Sequence, residues 1–237
     1  MNTVLHKAAT RGHASHGWLE SWHTFSFASY YDPSRMHFGS LRVLNDDTVA
    51  PGMGFGKHPH DNMEIISIPL EGGLEHQDNM GTKQIIKAGD VQVMSAGTGI
   101  AHSEKNASST APVRFLQIWV IPNKKNVPPR YEQKTISDTA KKNGLVTVVS
   151  PMGSNSDCVQ IYQDAWFSLG DLEIGTVVTY NLNKSGNGVY AFVLDGELVI
   201  NDIVLERRDG LGISDTDTLT ISASADARLL LMEVPLV

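Results

Sequence analysis

Short apolar runs separated by Gly, Asn, Asp and Pro clusters recur along the whole chain, and no long stretch sustains apolar positions at the helical period. The pattern predicts an all-β protein. Strands are expected at residues 23–27, 63–70, 91–95, 115–121, 189–200 and 229–234, where β-branched and aromatic residues concentrate. Pro69 falls inside one of these runs and removes a ladder donor there, so an edge position or a bulge is expected at that point. Many short strands with frequent turn signals fit barrels or sandwiches.

Between residues 122 and 144 the composition shifts. Pro122, Pro128 and Pro129 accompany five lysines, which makes this segment the expected linker between two domains, residues 1–135 and 136–237. An internal echo supports a duplication. Leu70-Glu-Gly-Gly-Leu74 followed by Lys87-Ala-Gly-Asp90 is matched by Leu194-Asp-Gly-Glu-Leu198 followed by Arg208-Asp-Gly-Leu211, with an intervening hairpin three residues shorter.

Composition narrows the function classes. With 26 acidic against 19 basic residues the formal charge is −7, and the basic clusters are only pairs, Lys124-Lys125, Lys141-Lys142 and Arg207-Arg208. Direct nucleic-acid binding needs concentrated Lys and Arg and is not expected. The single cysteine, Cys158, excludes an intrachain disulfide framework. No apolar run approaches the ~20 residues of a membrane-spanning helix, and the N-terminus lacks a signal-peptide pattern, so a soluble cytoplasmic protein is expected.

All nine histidines lie at or before position 102. Two spaced pairs stand out among them, His58-Pro-His60 and His102-Ser-Glu104. On a strand, alternate side chains share a face, so each pair can present two ligand atoms to one side of a sheet. Three imidazoles and a carboxylate suit a divalent first-row ion such as Fe(II), Ni, Cu, Mn, Co or Zn. By spacing alone Glu64, four residues beyond His60, rivals Glu104 as the carboxylate. The offsets of the echo place His58 and His60 opposite Leu182 and Lys184, and His102 and Glu104 opposite Ala223 and Ala225, so the second half is expected to lack metal ligands.

The glycines Gly52, Gly89, Gly97 and Gly99 around these pairs, with Asn106 beyond them, resemble the two sequence motifs of the cupin superfamily. The N-terminal block narrows the resemblance. Gly17-Trp-Leu-Glu-Ser-Trp-His-Thr-Phe-Ser-Phe27, Tyr30-Tyr-Asp-Pro33, Leu41-Arg-Val-Leu-Asn-Asp-Asp47, Met94-Ser-Ala-Gly-Thr-Gly-Ile-Ala-His-Ser-Glu104 and Pro129-Arg-Tyr-Glu-Gln133 look like the pirin family, and are especially similar to its bacterial quercetinases. The resemblance implies two tandem cupin (jelly-roll-like) β-barrels in one chain, for which a monomer is the expected state. It also implies one metal in the first barrel, held by His58, His60, His102 and Glu104.

Two functions follow from that resemblance. One is a dioxygenase that cleaves flavonols such as quercetin at the 2,3 bond with O2 and loss of CO, with Glu104 as general base and Glu64 as its alternative. The other is a metal- or redox-dependent regulator that binds a protein partner. A different cupin reaction on another small molecule shares the same ligand set. Of the other histidines, His13 and His16 are expected on the surface, His23 in the core, and His76 at a solvated strand position, with an orienting contact to a ligand as its alternative. Met53, Phe55, Met94, Phe115 and Trp119 are candidate pocket walls.

Overall fold

The alternation read from the sequence becomes strand almost throughout. The protein is represented by a computed structural model that describes residues 1–136, 141–154 and 157–236. Its first half carries β1 (Asn2–His6), β2 (Gly12–Ser15), β3 (Leu19–His23), β4 (Leu41–Val49), β5 (Gly54–His60), β6 (Glu64–Glu71), β7 (Gly73–Asp78), β8 (Lys83–Lys87), β9 (Asp90–Ser95), β10 (Ile100–Asn106), β11 (Val113–Val120) and β12 (Arg130–Thr135). The second half carries β13 (Val146–Pro151), β14 (Val159–Ile161), β15 (Trp166–Leu172), β16 (Val177–Asn181), β17 (Asn187–Asp195), β18 (Glu197–Ile200), β19 (Ile203–Glu206), β20 (Gly210–Ser214), β21 (Thr218–Ala223) and β22 (Ala227–Pro235).

These strands form two cupin-like sandwiches, each a seven-stranded sheet backed by a four-stranded one, rather than singly closed barrels. The first has orders β12-β9-β6-β11-β4-β3-β2 and β5-β10-β7-β8; the second has β1-β20-β17-β22-β15-β13-β14 and β16-β21-β18-β19. Period two assigns the faces. On β11, Leu116, Ile118 and Val120 enter a central core with Phe167, Phe192 and Leu230 of the second half. Phe115, on the alternate side, packs with Leu74 and Ile86 of its own four-stranded sheet. The large sheets therefore face each other in the middle and the small sheets lie outside. Each fully buried aromatic or branched side chain in that centre stabilises the fold by about 1.5–3 kcal/mol.

Several local expectations change. The run at 23–27 is not a strand: β3 ends at His23, and Phe25 turns into the central core while His23 and Phe27 line the opposite side, so alternation breaks. Residues 189–200 form two strands joined at Gly196, whose φ is +77° and where a Cβ would meet the Asp226 carbonyl at 2.0 Å. The segment expected as a linker contains β12, a polar edge strand whose alternation carries no apolar signal, paired with β9. Pro69 sits at a register shift opposite Arg114 and Phe115, the expected bulge.

The first residues cross over. β1 pairs with β20, from Asn2↔Ser214 to His6↔Gly210, so residues 2–6 join the second half's sheet although they precede all strands of the first. Buried His6 is anchored there by a 2.8 Å contact between its Nδ1 and the Tyr190 hydroxyl. Burial foremost, then the Arg35 charge, lowers its pKa from 6.5 to about 4. A depressed folded-state pKa gives stability that is present above pH 6.5 and lost as pH falls toward 4. The loss amounts to about 3 kcal/mol. In thermal melts, His6→Gln should flatten the acid limb between those pH values; a variant curve parallel to wild type would exclude the effect.

Candidate metal centre and cavity

β5 and β10 bring the two spaced pairs together. Their register sets His102 opposite His58, and a shift between His102 and Glu104 then moves Glu104 opposite Phe55. Close approach depends on Gly54, where a Cβ would lie 2.2 Å from the Glu104 carbonyl oxygen. Beyond the pair, buried Asn106 donates to the Val49, Ala50 and Ala111 carbonyls, which ties the end of β10 to the neighbouring turns.

Candidate ligand atoms of His58, His60 and His102 all lie within 4.8 Å of one another. The Nε2 atoms of His60 and His102 are 3.1 Å apart. Two bonds of ~2.1 Å to one ion at a right angle place their nitrogens about 3 Å apart, so this donor set fits a metal. His58 donates Nδ1–H to the Gly56 carbonyl at 2.8 Å, the contact that leaves Nε2 bare for coordination. Burial first, then the charge of His58, lowers the His60 pKa to about 4. The same causes, in the same order, push His102 further down. Both imidazoles are thereby kept neutral, the form that ligates metals.

The two candidate carboxylates separate. Glu104 is buried on the same strand as His102, and a second group of ligand atoms within 4.8 Å comprises His76, His102 and Glu104. Its carboxylate accepts hydrogen bonds from Ser67 Oγ at 3.2 Å and Gln117 Nε2 at 2.7 Å. Burial raises its pKa to about 7 against the Ser67 hydrogen bond, with Asp47 adding to the rise. Glu64 faces away from this cluster. It accepts from Ser95 Oγ at 2.7 Å and from the Tyr162 backbone N–H, on the face of β6 that also carries Ile66 and Ile68 into the central core. The spacing argument for Glu64 assumes one uninterrupted strand, but the chain breaks between His60 and Glu64, with Asn62 at φ +44°.

His76, expected in solvent, is fully buried. It makes a 3.1 Å Nε2 contact to Asp78 and a 3.4 Å Nδ1 contact to His102 Nδ1. His23 is the expected core histidine, bonded through Nδ1 to Asn45 Oδ1 at 2.9 Å. His13 is exposed and paired with Glu20 at 2.7 Å.

A cavity of about 470 Å³ opens beside the cluster, touching His58 and Glu104. This volume is within the ordinary range for a small-molecule site. Its apolar walls are Trp18, Leu19, Phe27, Phe55 and Trp119; its polar side is Ser21, His23, Asn45, Asp47 and Gln117. Phe55 and Trp119 lie where the sequence expects walls. Met53 is instead exposed, and Met94 and Phe115 are core residues. Asp47 is a wall residue that sequence reading misses; the signal available is its alternation with Asn45 on β4. It is buried, hydrogen-bonded by Ser21 Oγ, and burial raises its pKa to about 7. Trp119 Nε1 is buried without a hydrogen-bond partner.

The second half repeats the topology with different contents. Glu104 pairs with His76 and His102 with His58, whereas the corresponding strands pair Ile221 with Ile200 and Leu219 with Tyr180. These four pack in that half's apolar core. Unequal loops move the correspondence from Ala223 and Ala225 to Leu219 and Ile221, and from Leu182 to Tyr180 for His58. Fold and site together define a two-domain cupin protein with a metal-binding histidine cluster in its first half.

Comparison with known proteins makes that class specific. Residues 4–120 match the Pirin family and residues 147–234 match the quercetinase C-terminal cupin domain. The chain is 44% identical over 235 residues to an Escherichia coli protein named quercetin 2,3-dioxygenase, covering 98% of each. It is 43% identical over 222 residues to a pirin-like protein of Caulobacter vibrioides, covering 94% of this chain and 95% of that one. The crystal structure of the Escherichia coli bacterial pirin YhhW in complex with nickel(II) superposes with a TM-score of 0.94 at 42% identity, covering all of both chains. The chain belongs to the pirin family. Among the described residues no helix is long and apolar enough to cross a membrane.

Proposed function

We propose that this protein is a mononuclear metal-dependent dioxygenase that cleaves flavonols of the quercetin type at the 2,3 bond with O2 and releases CO. His58, His60, His102 and Glu104 hold the ion, with Fe(II) as its native identity. The observation that carries this reading is the histidine cluster's opening onto a cavity with aromatic walls and one polar side. The names of the relatives and the nickel(II) complex of one of them support it.

When bound, the ion supplies Lewis-acid stabilisation of the flavonol 3-oxyanion and a site for dioxygen. The remaining work falls to side chains. Glu104, on the cavity wall beside His58, accepts the 3-hydroxyl proton by loosening its bond to the ion. Trp18, Phe27, Phe55 and Trp119 hold the flat ring faces and exclude water. Asn45, Asp47 and Gln117 receive the ring hydroxyls.

Protein purified without added metal and then loaded with Fe(II) should consume quercetin and release CO in equal amount, and chelation should stop both. Flavonol binding without CO release would remove the dioxygenase reading and leave the protein a metal-dependent binder.

A further inference from the structure

The buried chain Asp78, His76, His102 runs behind the histidine cluster on adjacent strands β7 and β10, where Asp78 pairs with His102 and His76 with Glu104. The side chains of Asp78 and His76 are fully shielded from solvent. Asp78 Oδ1 accepts the backbone N–H groups of Met80 at 2.9 Å and Thr82 at 3.0 Å, which leaves Oδ2 for His76 Nε2 at 3.1 Å. A carboxylate only accepts, so the proton at that contact belongs to His76 Nε2. His76 Nδ1 is then bare, and at 3.4 Å it accepts from His102 Nδ1–H. One further step follows: His102 Nε2 is bare and faces His60 Nε2. The Tyr131 ring packs against His76, tilted by 39° with the ring centroids 4.8 Å apart.

We propose that Asp78 and His76 are positioning residues that order the protons along this chain and lock His102 in the one tautomer whose Nε2 can bind the metal. The proposal rests on His102 being a ligand; it does not depend on the flavonol reaction. Its distinctive consequence is that an isosteric change two residues removed from the ion reverses the tautomer. In Asp78→Asn the amide oxygen stays with the two backbone donors, and the amide NH2 turns toward His76. His76 then carries its proton on Nδ1, donates to His102 Nδ1, and forces the His102 proton onto Nε2.

Two measurements decide it. In metal-free protein with ¹⁵N-labelled histidine, two-bond ¹H–¹⁵N spectra of the wild type should show His102 protonated at Nδ1, and those of Asp78→Asn should show Nε2. Nickel(II) titration calorimetry should show affinity about 10–100-fold weaker in Asp78→Asn. His76→Gln, whose side-chain oxygen can accept from His102 Nδ1–H, should bind more tightly than His76→Leu. Protonation of His102 at Nε2 in the wild type overturns the proposal without any variant being needed. So does wild-type nickel affinity in a folded Asp78→Asn. A wild type that binds nickel(II) yet, when loaded with Fe(II), releases no CO from quercetin removes the dioxygenase reading and leaves this one standing.

Discussion

His60→Ala should hold no stoichiometric metal and release no CO. The His60 ring supplies the Nε2 that lies 3.1 Å from that of His102, and it packs edge-on against Trp119 at 5.1 Å. Its loss removes one of three clustered imidazoles, and a direct ligand matters more than the orienting contacts whose loss weakens binding about 10–100-fold. Turnover should therefore fall to the uncatalysed rate at any practical metal concentration. The fold should survive, because His60 is only half-buried and lies outside the apolar clusters; a melting change within about 2 °C is expected in the metal-free protein. Glu104→Gln is the informative companion. Three imidazoles remain to hold the ion, more weakly without the carboxylate, and losing a general base costs about 10²–10⁴ in rate, so turnover should fall by at least that factor. Metal analysis with CO detection checks both variants. Full turnover in His60→Ala would remove the cluster from the reaction, and full turnover in Glu104→Gln would move the base to another wall residue, with Asp47 the next candidate.

The meeting of the two spaced pairs was legible because their signal is local: His-x-His and His-x-Glu need only two strands to share a face. What lay behind them was not. His76 shows no pattern of its own, since its burial follows from pairing between β7 and β10, a long-range register that composition does not encode. Glu64 misleads for a related reason. Its spacing from His60 is right for a strand, yet residues 61–63 turn the chain, and the carboxylate ends on the opposite face of the large sheet. The crossover of β1 is also hidden, because Asn2–His6 reads as an ordinary short strand and only its partner β20 assigns it to the second half. The duplicated hairpins were visible through Gly72 and Gly196, which join β6 to β7 and β17 to β18 in corresponding places.

Asp46→Ala should lower the melting temperature by about 10 °C while leaving the metal site intact. Asp46 follows Asn45 and precedes Asp47 on β4, so alternation turns it from the cavity to the interface between halves. There its carboxylate accepts from Arg208 Nε at 2.8 Å and Arg11 Nη1 at 3.3 Å, with all three side chains largely buried. Arg208 also donates to the Leu194 carbonyl, and the Arg11 guanidinium lies 5.4 Å from the Trp22 ring and 5.9 Å from that of Phe192. Removing the carboxylate leaves two guanidinium groups without their counter-charge. Such a loss costs about 3–5 kcal/mol, and for a chain of this size each kcal/mol shifts melting by about 2–4 °C. Asp46→Asn, which keeps an acceptor, should lose less. Glu71→Gln is the contrast: its partner Arg114 lies 3.4 Å away on the surface, both side chains are at least half exposed, and no measurable shift is expected. Calorimetric melts of metal-free protein test the set. A shift for Asp46→Ala no larger than that for Glu71→Gln would show that the packed sheets, and not these charges, hold the halves together.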